Sequence, residues 1–139
     1  KPKKGNIVNS KGEILGKHTG LYNYTIGQRK GLGISYKVPL FVLGFNKTKN
    51  EVIVGTEQDL YTNELYANEL NFLLDIDLTK KIEVMAKVRY RAKEAKAILE
   101  VQENGLAKVT FEEPQRAITP GQSVVFYIDD VVLGGGKII

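Results

Sequence analysis

Hydrophobic and polar residues alternate with a period of two along most of the chain, which is typical of short β-strands. In the first half this alternation is interrupted by turn residues and by two brief segments with helical character. The predicted segments are a hairpin of residues 5–9 and 13–16, a helical turn within residues 21–28, strands at 40–45 and 51–55, and a helical connector at 56–62 with Thr56 as its N-cap. The first half is therefore expected to be a small β-rich unit.

The second half predicts a further set of strands joined by tight turns. The dipeptide NG at residues 104–105 signals a two-residue hairpin, and TPG at residues 119–121 signals a turn. Pro114 is expected to end the strand that precedes it. The strands are expected at residues 82–91, 95–103, 106–112, 122–128 and 131–133, followed by three glycines at 134–136. Roughly five or six short strands in such a segment indicate a small closed barrel.

A change in composition separates the two halves. Residues 51–78 carry seven acidic residues and no basic residue. We place the domain boundary inside this acidic stretch, between Tyr66 and Ala67. The expected fold class is mainly β, with a central β-rich domain at residues 1–66 and a C-terminal β-barrel domain at residues 67–139. A chain of 139 residues is long enough for two small domains.

The net charge of +4 conceals an uneven distribution of charge. Residues 1–50 contain ten Lys or Arg against one acid, Glu13, whereas residues 51–139 contain ten basic and fifteen acidic residues. Clustered cations attract phosphate without reading sequence, so the first half has the charge of a nucleic-acid binder. Lysines distributed for solubility are the alternative interpretation.

Several kinds of catalytic site are missing from the sequence. The chain has no cysteine, which excludes thiolate chemistry and disulfides, and its one histidine excludes a His-based zinc site. Neither a GxxxxGK[ST] phosphate loop nor a GxSxG elbow occurs. We therefore expect no catalytic residue, no metal ligand and no cofactor in this chain, and expect the chain alone to be inactive as an enzyme.

The sequence also bears on compartment and on completeness. No apolar run is long enough to span a bilayer, and no secretory signal follows the N-terminus. A cytoplasmic location without a membrane partner is the expectation. The sequence begins at Lys1 without a methionine and ends at Ile139, as expected of a piece of a longer protein.

A glycine-rich basic run, YTIGQRKGLG at residues 24–33, is the first candidate binding site. Glycine lets the backbone approach a ligand closely, and Arg29 and Lys30 supply charge. Arginine adds a two-pronged donor that matches phosphate. The run therefore suits a polyanion, and the alternative is a tight turn with a solvated charge pair.

The predicted strand at residues 82–91 is the second candidate. Period-two spacing places apolar residues on one face and cations on the other, about 7 Å apart, which is close to the spacing of phosphates along a nucleic-acid strand. Tyr90, at the strand end, is placed to stack on an unpaired base or a sugar. The cations of this stripe are Lys87, Arg89, Arg91 and Lys93. An edge strand protected by cations against aggregation is the alternative.

Two further positions carry polar chemistry. The turn RAITPGQS at residues 116–123 presents Gln122, whose amide can read a base edge or hold a phosphate oxygen. A well-capped structural turn is the alternative there. His18 is either a phosphate or base contact or a structural histidine near a turn, and the structural interpretation is favoured.

These motifs, in this order, resemble those of the bacterial tRNA-specific 2-thiouridylase family, and the resemblance covers essentially the whole chain. In the first half, the matching segments are GKH at residues 16–18, Gly20 with the glycine-rich run, and the pair formed by Asn50 and the VG at residues 54–55. In the second half they are VRYR at 88–91, Phe111, PQRAITPGQSVVFY at 114–127, and LGGG at 133–136 with Ile138. Each motif alone is weak, and the set together is highly specific.

The resemblance implies a central domain followed by a C-terminal barrel similar to one in translation elongation factors. It implies an enzyme that uses ATP with Mg²⁺ to adenylate the wobble uridine of certain tRNAs and replaces its 2-oxygen with sulfur from a cysteine persulfide. The nucleotide loop and both catalytic cysteines of that family lie in an N-terminal domain that this sequence does not contain. By analogy with the family, the tRNA contacts are Arg89, Tyr90 and Gln122. From the charge of the first half, Arg29 and Lys30 are the inferred phosphate contacts.

The expected partners are the anticodon region of tRNA, the protein's own N-terminal catalytic domain and a sulfur-relay protein. The alternative function is a protein-interaction barrel that docks the catalytic domain or the sulfur-relay partner, which the acidic stretch at residues 51–78 favours for at least one face.

Overall fold

The computed structural model describes residues 3–89 and 91–139. This part of the chain divides between Tyr61 and Thr62 into two compact units. Each unit has its own cluster of buried apolar side chains. The expectation of a mainly β chain, with a small N-terminal unit and a C-terminal barrel, is confirmed.

The N-terminal unit is a sheet of short strands. They are β1 (Gly5–Val8), β2 (Ile14–His18), β3 (Phe41–Asn46) and β4 (Glu51–Gly55). Their order in the sheet is β2-β1-β4-β3, with β1 parallel to β4 and the other neighbours antiparallel. Short 3₁₀ helices occupy Leu21–Asn23 and Glu57–Leu60, and the second begins after Thr56 as predicted.

Apolar residues of the sheet form the core of this unit and hold the long connection between β2 and β3. Ile7, Val42 and Val52 are fully buried in the sheet. Leu32 and Leu40, which lie in the connection, are buried in the same cluster. The irregular segment that carries the basic run is therefore anchored to the core at both of these leucines.

The C-terminal unit is a closed barrel formed by six of the described strands. They are β5 (Tyr61–Phe72), β6 (Ile82–Lys87), β7 (Ala95–Val101), β8 (Ala107–Arg116), β9 (Ser123–Ile128) and β10 (Val131–Ile138). Their order around the barrel is β10-β5-β8-β7-β6-β9. Leu99, Val109 and Phe126 are fully buried in its interior. On the outside, the Glu64 carboxylate lies 3.4 Å from Lys108 Nζ and raises the pKa of that lysine.

The strand β5 was not predicted, although it is the longest in the described chain. The sequence of β5 lacks a clear apolar alternation, and only Leu65 and Ala67 of this strand are buried. The domain boundary predicted from composition, between residues 66 and 67, falls inside β5. The acidic stretch does not mark the division because it continues from the end of one unit into the first strand of the next.

Three strand ends differ from the predictions. The strand predicted at residues 82–91 ends at Lys87, after which the chain turns, with Ala92 N donating to Arg89 O at 3.0 Å. Pro114 does not end β8, which continues to Arg116, because the proline lies on an exposed part of the strand. The glycines at 134–136 lie inside β10 rather than after it.

The turn at NG is a hairpin, but with a longer loop than predicted. Gly105 N donates to Gln102 O at 3.0 Å, and Gln102 N donates to Leu106 O at 2.8 Å. Gly105 has φ 84°, the left-handed conformation that closes a three-residue loop.

In the described part of the chain, no helix is long and apolar enough to cross a membrane.

Candidate nucleic-acid interface

The basic loop, residues 24–40, is held in shape by the side chain of Gln28. Its Oε1 accepts a hydrogen bond from Thr25 N, and its Nε2 donates to Lys30 O, each at 2.9 Å. The backbone of Gln28 also accepts from Val42 N at 2.9 Å, which ties the loop to strand β3. One amide side chain therefore bridges both sides of the turn that presents the predicted cations.

Both predicted phosphate contacts of the basic loop are exposed. Arg29 and Lys30 lie at the outer side of the turn, next to Gly31, whose φ of 80° favours glycine. Arg29 lines a groove of about 640 Å³, which we call the loop groove, and Lys30 does not line it. The two cations are therefore neighbours that face different surroundings.

No acidic residue lies between Glu13 and Glu51, although this stretch contains six Lys or Arg. Within the described residues, the side chains of Arg29 and Lys30 take part in no ion pair. A cation without a carboxylate partner keeps its attraction for an external phosphate. The assignment of Arg29 and Lys30 as phosphate contacts stays a prediction, and no carboxylate in the described part of the chain pairs with either cation.

Gln28→Ala tests whether the shape of the basic loop contributes to anion binding independently of its charge. The change removes two hydrogen bonds but no charge, so we expect RNA affinity to fall about threefold to tenfold with the salt dependence unchanged. The measurement is a tRNA titration at several salt concentrations. Asn23→Ala, in the same connection, is the matched control. Equal losses for the two variants would contradict the assigned role of Gln28.

In the barrel, Arg89 lies just after β6 and is bound to the main chain of a second segment. Its Nη2 donates to Arg116 O and to Ala117 O, the latter at 3.1 Å. Ala117 has φ 56°, an unfavourable conformation for a residue with a side chain. The carbonyl of Ala117 also accepts from Thr119 Oγ1 at 2.9 Å. Arg89 thus fixes the start of the turn at residues 116–123.

The same turn presents Gln122, which is exposed. Its backbone is fixed to the end of β10, because Gly121 N donates to Ile138 O at 2.7 Å and Ile138 N donates to Gln122 O at 2.8 Å. Arg89 and the backbone of Gln122 are therefore linked through one short segment. The structure places these two predicted residues in one region of the barrel. The sequence motifs alone did not predict this.

Arg89 also lines a groove of about 790 Å³ on the barrel, which we call the barrel groove. Basic residues outnumber acidic ones along its walls. The charged residues that line it are Arg89, Arg91, Lys93, Lys96 and Arg116, with Glu94, Glu112 and Glu113. The predicted stripe of cations on one strand face is wrong, because the chain leaves the sheet after Lys87. The cations converge instead around a turn between two strands.

The other predicted residues are placed differently. Tyr90 lies outside the described residues. His18 is 1% exposed, so it belongs to the interior and is not a phosphate contact. Among residues 3–89 and 91–139, no group of three His, Asp or Glu side chains lies close enough to hold a metal ion.

Sequence reasoning missed some members of these surfaces. Lys96 and Glu112 come from strands β7 and β8, and they line the same groove as Arg89 because β7 pairs with both β6 and β8. Tyr36 and Lys37 line the loop groove, and the lack of acidic residues between Glu13 and Glu51 is a sequence signal that could have pointed to them.

Two family models match the chain, one for each unit. Residues 62–138 match the aminomethyltransferase beta-barrel domain, and residues 1–56 match the tRNA methyl transferase PRC-barrel domain. Proteins named tRNA-specific 2-thiouridylase MnmA match nearly the whole chain. Those of Clostridium botulinum and Clostridium beijerinckii are each 54% identical over 98% of this chain, and that of Acetivibrio thermocellus is 50% identical over 98%. The chain belongs to the tRNA-specific 2-thiouridylase family.

The match covers nearly all of this chain but only part of each relative. The chain spans 38% of the length of each of these three 2-thiouridylases. The division between family models coincides with the structural one, because the barrel model begins at Thr62. The described part of the chain thus consists of a small β-rich unit and a closed barrel.

Proposed function

We propose that the intact protein is a tRNA 2-thiouridylase, which transfers sulfur to C2 of the wobble uridine in an ATP-dependent reaction, and that this chain is its tRNA-binding and positioning portion. The observation that carries the proposal is the convergence of Arg89 with Arg91 and Arg116 in one groove, joined to the turn that presents Gln122. Cations and amides on fixed backbone are suited to phosphate and base edges.

Positioning is the contribution that this portion makes to the reaction. Holding a reactant in the correct geometry replaces a costly bimolecular encounter, and this entropic gain accounts for a large part of enzyme rate enhancement. Exposed cations of the basic loop and the barrel groove contact tRNA phosphates, while Gln122 and Tyr90 contact nucleotides. The anticodon region is thereby presented to the catalytic domain of the intact protein.

The remaining components belong to the rest of the intact protein. ATP with Mg²⁺ does not fit the described residues of this chain, which carry no phosphate loop and no carboxylate cluster for the cation. We place nucleotide binding in the N-terminal catalytic domain and sulfur delivery with a sulfur-relay protein. The proposed compartment is the cytoplasm, where tRNA is available.

A tRNA titration of this chain at several salt concentrations tests the proposal. Wild-type affinity is expected to fall steeply with salt, because phosphate contacts release counterions. Arg89→Ala is expected to weaken binding about tenfold or more, since it removes a cation and both hydrogen bonds to residues 116 and 117. The slope of log affinity against log salt is expected to decrease by about 1. An unchanged affinity and slope would disprove the assignment of Arg89.

Two further variants separate the charge of Arg89 from its structural role. Arg89→Lys keeps the charge but loses the planar fork that reaches two carbonyls, so we expect lower affinity with the slope preserved. Arg91→Ala removes a groove cation without removing main-chain hydrogen bonds. We expect it to reduce the slope of log affinity against log salt and to leave the turn at residues 116–123 in place. Absence of tRNA binding at low salt would overturn the proposed function.

A protein-docking role is the second candidate, and one surface of the barrel favours it. Leu73 is 63% exposed, and with Val132 it lines a shallow groove above the glycines at 134–136. Binding at an apolar docking face changes little with salt concentration, whereas RNA binding weakens steeply as salt rises. Salt-insensitive binding of the separately expressed catalytic domain, lost in Leu73→Ser, would support docking.

A further inference from the structure

The loop groove contains an exposed aromatic side chain that the family motifs do not involve. Tyr36 is 47% exposed, although aromatic residues usually bury much of their area. Within the described residues, its ring makes no aromatic contact and its hydroxyl no hydrogen bond. The packing of this unit therefore does not explain the position of Tyr36.

Two cations lie in the same groove as this ring. The loop groove is lined by residues 29 and 31–40, and the charged side chains among them are Arg29 and Lys37. No carboxylate lines it, and neither cation takes part in an ion pair in the described part of the chain. The groove therefore combines an accessible ring with uncompensated positive charge.

The floor of the groove is held in place before any ligand arrives. Leu32 and Leu40, which both line the groove, are buried in the core of the N-terminal unit. Gln28 fixes the backbone that precedes Arg29 through its hydrogen bonds to Thr25 and Lys30. A ligand therefore pays little of the ordering cost that a flexible loop would impose.

We propose that the loop groove is a subsite for one unpaired RNA nucleotide, whose base stacks on Tyr36 and whose neighbouring phosphates contact Arg29 and Lys37. Stacking on an aromatic ring beside basic side chains is how proteins bind single strands without reading their sequence. An acidic protein segment has charge but no planar base, so the exposed ring favours RNA. The inference rests on the proposed function, because it assigns a tRNA subsite to the N-terminal unit.

Binding of a fluorescently labelled single-stranded oligouridylate to this chain tests the subsite. Tyr36→Leu is expected to weaken binding about tenfold, because it removes a base-stacking surface. Tyr36→Phe keeps the ring and is expected to bind within about twofold of wild type. Tyr22→Leu is the matched control, since Tyr22 is 71% exposed in the same unit but does not line the groove. Both tyrosines are exposed, so the variants are expected to fold.

Each outcome either supports or overturns the subsite. A loss confined to Tyr36→Leu supports it. An unchanged affinity for Tyr36→Leu, an equal loss for Tyr22→Leu, or no binding of oligouridylate at low salt overturns it. Displacement of the oligouridylate by polyglutamate, equally in wild type and Tyr36→Leu, indicates a general anion patch and also overturns it.

Parallel titrations with tRNA separate this inference from the proposed function. If tRNA binds and responds to Arg89→Ala while Tyr36→Leu has no effect on either ligand, the subsite fails and the proposed function stands. If the oligouridylate responds to Tyr36→Leu while tRNA does not bind, the subsite stands and the proposed function fails.

Discussion

Gly134→Ala is expected to lower the stability of the barrel by about 3 kcal/mol or more and to lower its melting temperature by more than about 12 °C. A β-carbon at this position overlaps the main chain of β5, at Asn71 O and Phe72 Cα. The strand β10 cannot move away, because Gly134 is paired with Phe72 on one side and with Phe126 on the other. Main-chain overlap is costly because no flexible side chain can yield.

The same substitution is expected to weaken tRNA binding, although Gly134 lies in neither groove that carries the candidate contacts. The end of β10 holds the turn that presents Gln122, through the hydrogen bonds of Ile138 with Gly121 and Gln122. Displacing β10 therefore displaces the turn. This links the glycine-rich end of the chain to the binding surface through the backbone rather than through contact with ligand.

Amide hydrogen exchange and thermal melting of the Gly134→Ala chain measure this prediction. Gly44→Ala is the matched control, because Gly44 is a strand glycine at which an added β-carbon would meet no atom within 4 Å. This substitution is expected to change stability by no more than about 0.5 kcal/mol. The amides of β9 and β10 should lose protection in the Gly134 variant alone. Melting of the two variants at the same temperature would contradict the proposed overlap.

Where the sequence alternated clearly, it predicted the fold correctly. The hairpin of β1 and β2, the pair of β3 and β4, and the closed barrel all follow from apolar residues at alternate positions with glycine or polar turns between them. The strand β5 did not follow, because only two of its side chains are fully buried. Its place in the barrel is decided by pairing with β8 and β10, which is non-local information.

The candidate site divides in the same way. The residue types of Arg89 and Gln122 pointed to RNA, but their common region depends on a guanidinium that reaches two carbonyls 27 and 28 residues later in the sequence. No periodicity predicts such a contact. The groove that contains Tyr36 was also not predicted, because an exposed tyrosine in a loop has no sequence signature that separates it from a buried one.

His18 is buried in the N-terminal unit and holds several of its segments together through hydrogen bonds. Its Nδ1 accepts a hydrogen bond from Gly20 N at 3.0 Å, which leaves Nε2 to donate to Asn50 O at 2.8 Å. The side chain of Asn50 in turn donates to Lys3 O and Lys4 O. The imidazole thus connects the start of β1, the turn before β4 and the start of the connection that carries the basic loop.

His18→Ala is therefore expected to destabilise the N-terminal unit by about 3–5 kcal/mol, because it leaves a cavity and removes the side-chain partner of the buried Gly20 N and of the partly buried Asn50 O. A loss of this size is comparable with the whole stability of a small domain. Tyr24, whose ring packs edge-on against the imidazole at 5.9 Å, also loses its contact. The basic loop is then expected to become disordered and the tRNA affinity to fall.

Residue-resolved NMR of the chain checks this expectation, since the amides of residues 5–55 should lose their dispersion while those of the barrel keep theirs. His18→Asn restores an acceptor near Nδ1 and is expected to recover part of the stability, because Gly20 N regains its partner. Lys17→Ala, on the exposed face of the same strand, is the matched control and is expected to leave the spectrum of the unit unchanged. If His18→Ala keeps a dispersed N-terminal spectrum but loses tRNA affinity, the histidine acts on the ligand and not through the fold, and the structural role assigned to it is wrong.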